Sequence, residues 1–439
     1  MGESPAIFDI GLDFFPLLAG TLAAVGCGVL GNFLVLRRLS LMGDAISHSV
    51  LPGLVIAFLI TGTRSPLVMF GGAAVAGVAT VVLVELVKRL GRVEPGAAMG
   101  VVFSVLFALG VLLIEQAAAD LVDLDAECVL HGQLELLWWA DAPDSLAGLW
   151  DWSTVEATPR QVWVLLAMAG LSIAFVVGLF KELRIAAFDP ALATTQGFNA
   201  SLLHFLLMVF VAMATVASFE AVGSILVIAM LVCPAATARL VTDRLKPQIA
   251  WSVVFSLICG IGGYFGASGV PALFGLDAVN SAGAMAVCAG VLLAGAIVLS
   301  PRHGAIARLV RQRRLAVTVA VEDLLAGLYR ARERGVDGLS LRDARELLAG
   351  RPAARALESA RRAAAIEIDE GVARLTEAGV ARARGIVRRH RLWEHYLVDE
   401  AGIAPDHVHT IAEQLEHVRT HPERAVTTDP HGSPIPDRS

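Results

Sequence analysis

Residues 39–62 read LSLMGDAISHSVLPGLVIAFLITG. From Ala45 onward the run is apolar over close to the roughly 20 residues that a helix needs to cross a bilayer core. Yet Asp44 and His48 stand at its start. Four residues apart, they share one face of a helix, one turn from each other. Ionisable groups inside a membrane segment are costly and mark functional pathways. A carboxylate and an imidazole together suit a divalent first-row metal such as manganese, iron or zinc. Arg37 and Arg38 mark the polar end of the preceding run. A rise of about 1.5 Å per residue then puts His48 roughly 15 Å further on, near mid-depth. Pro52 loosens the helix a turn later and opens backbone carbonyls toward a pathway. The spacing also fits a plainer reading, in which Asp44 caps the helix and His48 is a hydrogen-bonded core residue.

Outward from this stretch, apolar runs recur near 14–36, 45–62, 67–87, 97–114, 161–180, 202–219, 222–238, 250–271 and 282–300, about nine in all. They are rich in Gly and Ala, which suits close helix packing in lipid. The first is too long for a removed signal peptide and has no small-residue cleavage site. The whole chain has 439 residues, 56% hydrophobic and 17% charged, with a mean hydropathy of +0.67. The charges are unevenly split. Residues 1–300 hold 12 Lys+Arg and 21 Asp+Glu, and the remaining 139 residues hold 23 Arg and 20 acids. The first part is too apolar for a soluble domain and the second has ordinary soluble composition. A plain soluble enzyme, a disordered chain and a secreted scaffold are excluded. The expectation is a polytopic bundle of eight to nine transmembrane helices, all-α, over residues 1–315, followed by a helical module at 316–420 and an unstructured tail at 421–439.

Basic residues fall after alternate runs, at Arg37/Arg38, Lys88/Arg89/Arg92, Lys181/Arg184, Arg239/Arg244/Lys246 and Arg302 to Arg314. Such residues mark the cytoplasmic side, so the C-terminal module is expected there. Segment 116–159 then faces outside, with nine acids (Asp120, Asp123, Asp125, Glu127, Glu135, Asp141, Asp144, Asp151 and Glu156) and no Lys or Arg. An acidic mouth that concentrates cations or docks a basic partner is one reading, and an outside loop that simply lacks bases is the other. Cys27, Cys128, Cys233, Cys259 and Cys288 form no CxxC pair and read as small core residues.

Three stretches together resemble the bacterial zinc/manganese/iron ABC importer permeases. They are Leu39–Gly53, then EAVGSILVIAMLVCPAATA at 220–238, then FDPALATTQG at 188–197. The resemblance spans about residues 10–300. It implies that Asp44 and His48 handle the transported metal. It also implies that 188–197 is the coupling loop, with Asp189 and Pro190 starting a short helix, Ala193 within it and Gly197 ending it. Two copies of the permease, a separate ABC ATPase and an extracytoplasmic solute-binding protein follow from it, as does the bacterial plasma (inner) membrane. Glu220 departs from the family pattern and reads as a gate carboxylate at the outer lip. No nucleotide site is expected in this chain: a P-loop needs Gly-Lys, and none of the three lysines, Lys88, Lys181 and Lys246, follows a glycine.

In the module, RHGAIARLVRQRR at 302–314 suits contact with anionic lipid. A helix is expected at Val319–Arg334, a second from Ser340, and an Arg/Ala-rich helical stretch to about Arg374. His390 and Glu394 are four apart, and His409, Glu413, Glu416 and His417 make one helical stripe. A solvated charged face is the alternative, but histidine is uncommon in such faces and eight of the chain's eleven histidines follow residue 301. The sequences RRHRLWEHYLVDEAGI and DHVHTIAEQLEHV resemble the metal-binding and dimerisation domain of the iron/manganese-dependent repressors. That resemblance implies one ligand set of His390, Glu394 and His409, a second of Glu413, Glu416 and His417, and a ligand at Asp323 on the first helix. Ala326 stands where a further carboxylate belongs. Oxygen at Glu413 favours manganese over a thiolate-preferring metal. Stretch 338–375 shows no clear turn or wing, so DNA is not expected as a partner.

The function expected is the permease subunit of an ATP-driven importer of divalent metal (manganese, then iron or zinc) with a cytoplasmic metal sensor. A membrane-tethered DNA-binding regulator needs a wing, and an ATPase-independent transporter needs more intramembrane carboxylates than Asp44. No HExxH or GxSxG motif points to an enzyme.

Overall fold

Asp9 starts helix α1 (Ile10–Leu36) by accepting from the backbone N–H groups of Gly11 and Leu12. This satisfies donors that a helix start leaves bare. The computed structural model describes residues 8–63, 65–117, 132, 134–139, 142–143, 152–417 and 426–437. Seven of the outer acids (Asp120, Asp123, Asp125, Glu127, Asp141, Asp144 and Asp151) and Cys128 lie outside them. The chain divides into two units, Met1–Ile306 and Ala307–Ser439.

In the first unit α1 is followed by α2 (Met42–Ser49), α3 (Leu51–Thr61), α4 (Pro66–Gly91), α5 (Pro95–Ala117), the short α6 (Trp152–Ala157), α7 (Arg160–Gly178), α8 (Phe180–Phe188), α9 (Pro190–Thr195), α10 (Ala200–Val241), α11 (Leu245–Ala272) and α12 (Ser281–Leu299). Eight helices among the described residues, counting α2 and α3 as one, are long and apolar enough to cross a membrane. Helix α10 is 42 residues long and breaks at Gly223, whose φ of 72° and ψ of 169° are not helical. Glycine alone adopts that conformation without strain.

The contacts of α10 show that its two halves run in opposite directions beside α1. His204 bonds Arg37 at the end of α1, and Ser218 meets Cys27 two to three turns back. The Leu231 carbonyl then returns to Gly31, where a Cβ on the glycine would sit 1.8 Å from its oxygen. The eight helices therefore make nine apolar segments, as the runs at 202–219 and 222–238 predict. Helix α1 lies at the centre, with Phe15, Leu30, Phe33 and Leu34 fully buried. Asn32, also fully buried, donates to Ser252 Oγ (2.7 Å) and accepts from Gln248 Nε2 (3.1 Å), which pins α11 to α1 through an otherwise apolar interior.

In the second unit α13 (Ala305–Glu333) already includes most of the basic stretch, so this helix begins earlier than Val319. Next come β1 (Leu339–Ser340), α14 (Leu341–Leu347), α15 (Ala353–Arg362), β2 (Ile366–Asp369), β3 (Val372–Leu375), α16 (Glu377–Asp399) and α17 (Val408–Leu415). The three strands form one sheet in the order β1-β3-β2.

This corrects the reading of 338–375 as one helical stretch without a turn or wing. A helix–turn–helix (α14, α15) is followed by a two-stranded wing (β2, β3). The reversal between the strands is made by Glu370 and Gly371, both with positive φ (47° and 78°), as a tight hairpin turn requires. Ala and Arg favour helix locally, but Ala356, Leu357, Ala360 and Ile366 are buried against Leu324, Leu328 and Ile386, and that packing sets the element boundaries.

The tail also departs from expectation. Residues 426–437 fold into a turn whose Asp429 accepts from the backbone N–H of His431 and Ser433 (3.0 and 2.7 Å). Ile435 is buried, and Arg391 of α16 donates to the Pro434 carbonyl at 2.5 Å.

Candidate functional site

Asp44 and His48 lie on α2, which stops at Ser49 because Pro52 has no N–H to give the His48 carbonyl. Asp44 Oδ1 is 3.3 Å from His48 Nε2, and the two side chains are 37% and 35% exposed. The His48 ring sits between Phe103 and Phe107 of α5, each centroid 5.9 Å away. Apolar spacing along α5 gave no sign of these two as neighbours of the pair. Together the four side chains present one carboxylate and one imidazole on a face walled by aromatic rings.

Glu220 lies three residues before the break in α10. One Arg160 guanidinium nitrogen reaches both of its oxygens at 2.7 and 2.9 Å, and Gln161 adds a 3.4 Å contact. Glu220 is therefore ion-paired, with a partner 60 positions away that no local pattern points to. Glu135 caps α12 through the Ser281 N–H at 2.8 Å.

The segment 189–197 folds as its capping residues predict. Asp189 accepts from the Leu192 N–H at 2.9 Å, Pro190 opens α9, and Gly197 turns the chain with a φ of 88°. Ala193 is fully buried against Ala186 and Leu203, which leaves the other face of α9 exposed.

In the second unit, two groups of metal-binding side chains converge. His390, Glu394 and His409 each offer a ligand atom within 4.8 Å of the others, and so do Asp323, Glu416 and His417. In the first group His390 Nε2 is 3.1 Å from Glu394 and 3.1 Å from His409, and His409 is 2.8 Å from Glu394. Burial favours the neutral carboxyl, but hydrogen bonds from His390 and His409 outweigh it and hold Glu394 at a pKa of about 2. Burial likewise opposes a charge on His390, and its bonds to Glu394 and Glu416 overcome that and raise its pKa.

Glu416, 1% exposed, joins the groups: it belongs to the second and lies 2.5 Å from His390 Nδ1 of the first. In the second group His417 Nε2 is 3.3 Å from Asp323, and its Nδ1 is 2.7 Å from Glu322. Glu322 thus orients His417. Its place in an ordinary helical pattern gave no signal.

Glu413 stands apart from both groups, on the far side of Arg351, whose guanidinium also contacts Asp323. The cluster is thus Asp323, Glu416 and His417, where sequence reading grouped Glu413 with Glu416 and His417. Paired histidine and carboxylate donors, mostly buried and already converged, are a chemically fitting set for manganese, iron or zinc. The folded tail reaches the same neighbourhood: Asp429 and His431 line a cavity of about 530 Å³ with His390, Glu394 and His409.

Helix α15 exposes Arg355, Arg361 and Arg362. Glu358 pairs with two of them, Arg361 at 3.3 Å and Arg362 at 2.9 Å. The wing carries exposed Glu367, Asp369 and Glu370. This face is electrically mixed, not a basic stripe.

Comparison with known proteins agrees with both units. Residues 376–437 match the family described as iron dependent repressor, metal binding and dimerisation domain. The chain is 39% identical over 295 residues to the manganese transport system membrane protein MntD of Bacillus subtilis (strain 168), covering 67% of this chain and 94% of that protein. It is 36% identical over 372 residues to the zinc transport system membrane protein TroD of Treponema pallidum (strain Nichols), covering 84% and 97%. Among solved structures, PsaBC from Streptococcus pneumoniae in complex with Fab aligns with a TM-score of 0.52 and 27% identity over 66% of this chain and 92% of that one. Residues 14–141 and 153–300, more than half of the chain, match the ABC 3 transport family, and this multi-pass membrane protein belongs to it.

Proposed function

We propose that this chain is the membrane subunit of an ATP-driven importer of divalent transition metal, manganese first and then iron or zinc, with a cytoplasmic metal sensor at its C-terminus. The observation that carries the reading is the Asp44–His48 pair, one turn apart at 3.3 Å on an apolar helix that breaks just beyond it. The carboxylate lowers the cost of bringing a cation into the layer and the imidazole supplies a borderline donor. Phe103 and Phe107 keep the His48 ring from turning away. Each chain offers two donors here, fewer than such a cation takes, so a second copy facing the first completes the shell.

Glu220, held by Arg160, serves as the gate carboxylate on the outer side, where a solute-binding protein delivers the metal. At the inner end, the segment 189–197 couples to a separate ATPase subunit, with Asp189, Pro190 and Gly197 exposed and Ala193 anchoring α9 from its buried face. The membrane is the bacterial plasma membrane. The basic stretch 302–314 rests on anionic lipid and the second unit is cytoplasmic. There His390, Glu394 and His409 form one sensor site, and Asp323, Glu416 and His417 the other, with Glu413 at its edge. A bound metal would supply positive charge that draws the carboxylates together, and it binds only after His390 and His417 give up any proton they hold.

The test is metal uptake by the complex reconstituted with its ATPase, comparing manganese, iron and zinc. Asp44→Ala should slow uptake at least about tenfold, the smaller end of what disturbed ligation costs. Full uptake by this variant sinks the transport site. A second reading, DNA binding by the second unit, is favoured by the helix–turn–helix and wing. It is opposed by Glu358 and the acidic wing, because affinity for DNA rests on uncompensated positive charge. A gel shift with mixed genomic fragments and manganese, showing no salt-sensitive complex, would exclude it.

A further inference from the structure

We infer that Arg351 is a built-in competitor for the second metal cluster, and that an arriving divalent cation displaces it and so frees the turn between α14 and α15. The inference rests on the reading of Asp323, Glu416 and His417 as a metal site. Arg351 belongs to neither helix. It follows Gly350, whose φ of 81° swings the chain around, and its backbone N–H donates to the Leu348 carbonyl at 2.9 Å. From this turn the guanidinium reaches across to α13 and α17. It contacts Asp323, whose side chain is only 9% exposed, and lies 3.9 Å from Glu413. A second arginine behaves alike on the other side of the cluster, where Arg330 is 3.4 Å from Glu416.

Charge explains the arrangement. Asp323, Glu416 and Glu322 crowd around His417, with Glu413 on the other side of Arg351, and carboxylates so placed repel one another unless a cation stands among them. Arg351 supplies that cation in the structure at hand. Arg351 reaches Oδ2 of Asp323 while Oδ1 faces His417 Nε2 at 3.3 Å, so an ion held on Oδ1 would put two positive charges within a few ångströms of the guanidinium. The ion and the guanidinium repel each other across one carboxylate, so filling the cluster and loosening Arg351 are linked.

The consequence reaches beyond the site. Arg351 sits in the turn that sets the angle between α14 and α15, the helices ahead of the wing. Filling the cluster therefore removes a strut from the helix–turn–helix. By linkage the strut must weaken metal binding to the same extent that metal weakens the strut. Arg351 thus sets the concentration at which the cluster fills and carries the news that it has filled.

The test uses the full chain in lipid nanodiscs, with manganese as the probe, in an Asp44→Ala, His409→Ala background so that only the second cluster reports. Free manganese is followed by electron paramagnetic resonance during titration, and backbone exposure of residues 348–353 by hydrogen exchange. Arg351→Gln should tighten manganese binding about tenfold, and Arg351→Lys should leave it near the parent value. In the parent, manganese should speed exchange at 348–353. Arg351→Gln should already exchange fast there and gain nothing from the metal. A folded Arg351→Gln that binds manganese no more tightly than its parent overturns the inference. So does unchanged or slower exchange at 348–353 when the parent fills. Manganese binding that Glu416→Gln leaves intact would instead overturn the metal site beneath it.

Discussion

Glu416 is where the two ligand groups meet, so its removal should empty both. Its carboxylate belongs to the group with Asp323 and His417, lies 2.5 Å from His390 Nδ1 of the other, and is 1% exposed. Glu416→Gln keeps the shape and one acceptor for His390 but deletes the negative charge. In the metal-free protein this exchanges a charge-assisted hydrogen bond for a neutral one, a loss of about 1–2 kcal/mol. Glu416→Ala, which leaves buried His390 and neighbouring Arg330 without their partner, should cost about 3–5 kcal/mol. With metal the effect doubles up. Disturbing a ligand's supporting partner alone costs roughly 10–100-fold in affinity, which is about 1.4–2.7 kcal/mol, and here each of two ions suffers at least that. Titration of the purified full-length protein with manganese in an Asp44→Ala background, read by paramagnetic resonance, should fall from two bound equivalents to nearly none in Glu416→Gln. His409→Ala is the contrast. Its side chain is 57% exposed and bonds Glu394 and His390, so one equivalent should vanish and one remain. The coupling through Glu416 is refuted if Glu416→Gln loses a single equivalent, or if His409→Ala loses both.

Gly31→Ala should pry α1 from the returning half of α10, because the new Cβ would meet the Leu231 carbonyl oxygen at 1.8 Å. We expect destabilisation of about 1–3 kcal/mol, visible as a lower melting temperature in detergent, and an unchanged melt would count against the helix reversal. Manganese affinity at the first sensor group should climb with pH above 6.5, by up to about tenfold per unit, because each ion must expel a proton from His390, whose pKa is raised. The same bound proton stabilises the metal-free fold fully below pH 6.5, and that contribution fades as pH rises through the folded pKa. Glu394, held at about 2, stays ionised throughout this window and adds nothing to the slope. Calorimetry in buffers of different ionisation heat at pH 6.5 and 8 reads the proton count, and a flat profile refutes the assignment. Glu220→Gln should loosen Arg160 and change the rate of delivery from the solute-binding protein while leaving Asp44-dependent metal selectivity intact, and identical initial uptake rates would remove Glu220 from the gate.

What the sequence made legible was local. Nine apolar runs and the caps around α9 are patterns of neighbouring residues, and both appear in the fold. His390, Glu394 and His409 could be grouped because motif spacing keeps them together. The misses are contacts made at long range. Asp323 joins Glu416 and His417 across nearly a hundred positions, and Arg351 then keeps Glu413 out, which no helical stripe reveals. The wing was hidden for a related reason: residues 338–375 are rich in Ala and Arg, and the alternation in IEIDEGVARL was too short to outweigh their helical bias. Glu370-Gly371 was the available clue, a pair suited to a turn with positive φ at both positions. The tail looked unstructured by composition, yet its order comes from Arg388 and Arg391 of α16, which reach the carbonyls of Pro436 and Pro434.

The two kinds of site differ in a way that suits different tasks. The membrane pair offers two donors per chain, more than a third exposed, on a helix that ends immediately beyond it. A cation held so loosely gives up little when it leaves, and a pathway needs binding strong enough to admit an ion and weak enough to release it. The sensor groups have three donors each from a single chain, and the His390, Glu394 and Glu416 side chains are no more than 3% exposed. Their donor atoms are already aimed at one another, so little reorganisation opposes binding. On the proposed reading, this contrast would let the sensor hold its ions at free concentrations where the pathway is still exchanging them. Arg351 raises the threshold of one group, which keeps a site with that many carboxylates from staying permanently full. A sensor on a transporter must empty as readily as it fills, and the resident guanidinium gives the ion a competitor that is always at hand.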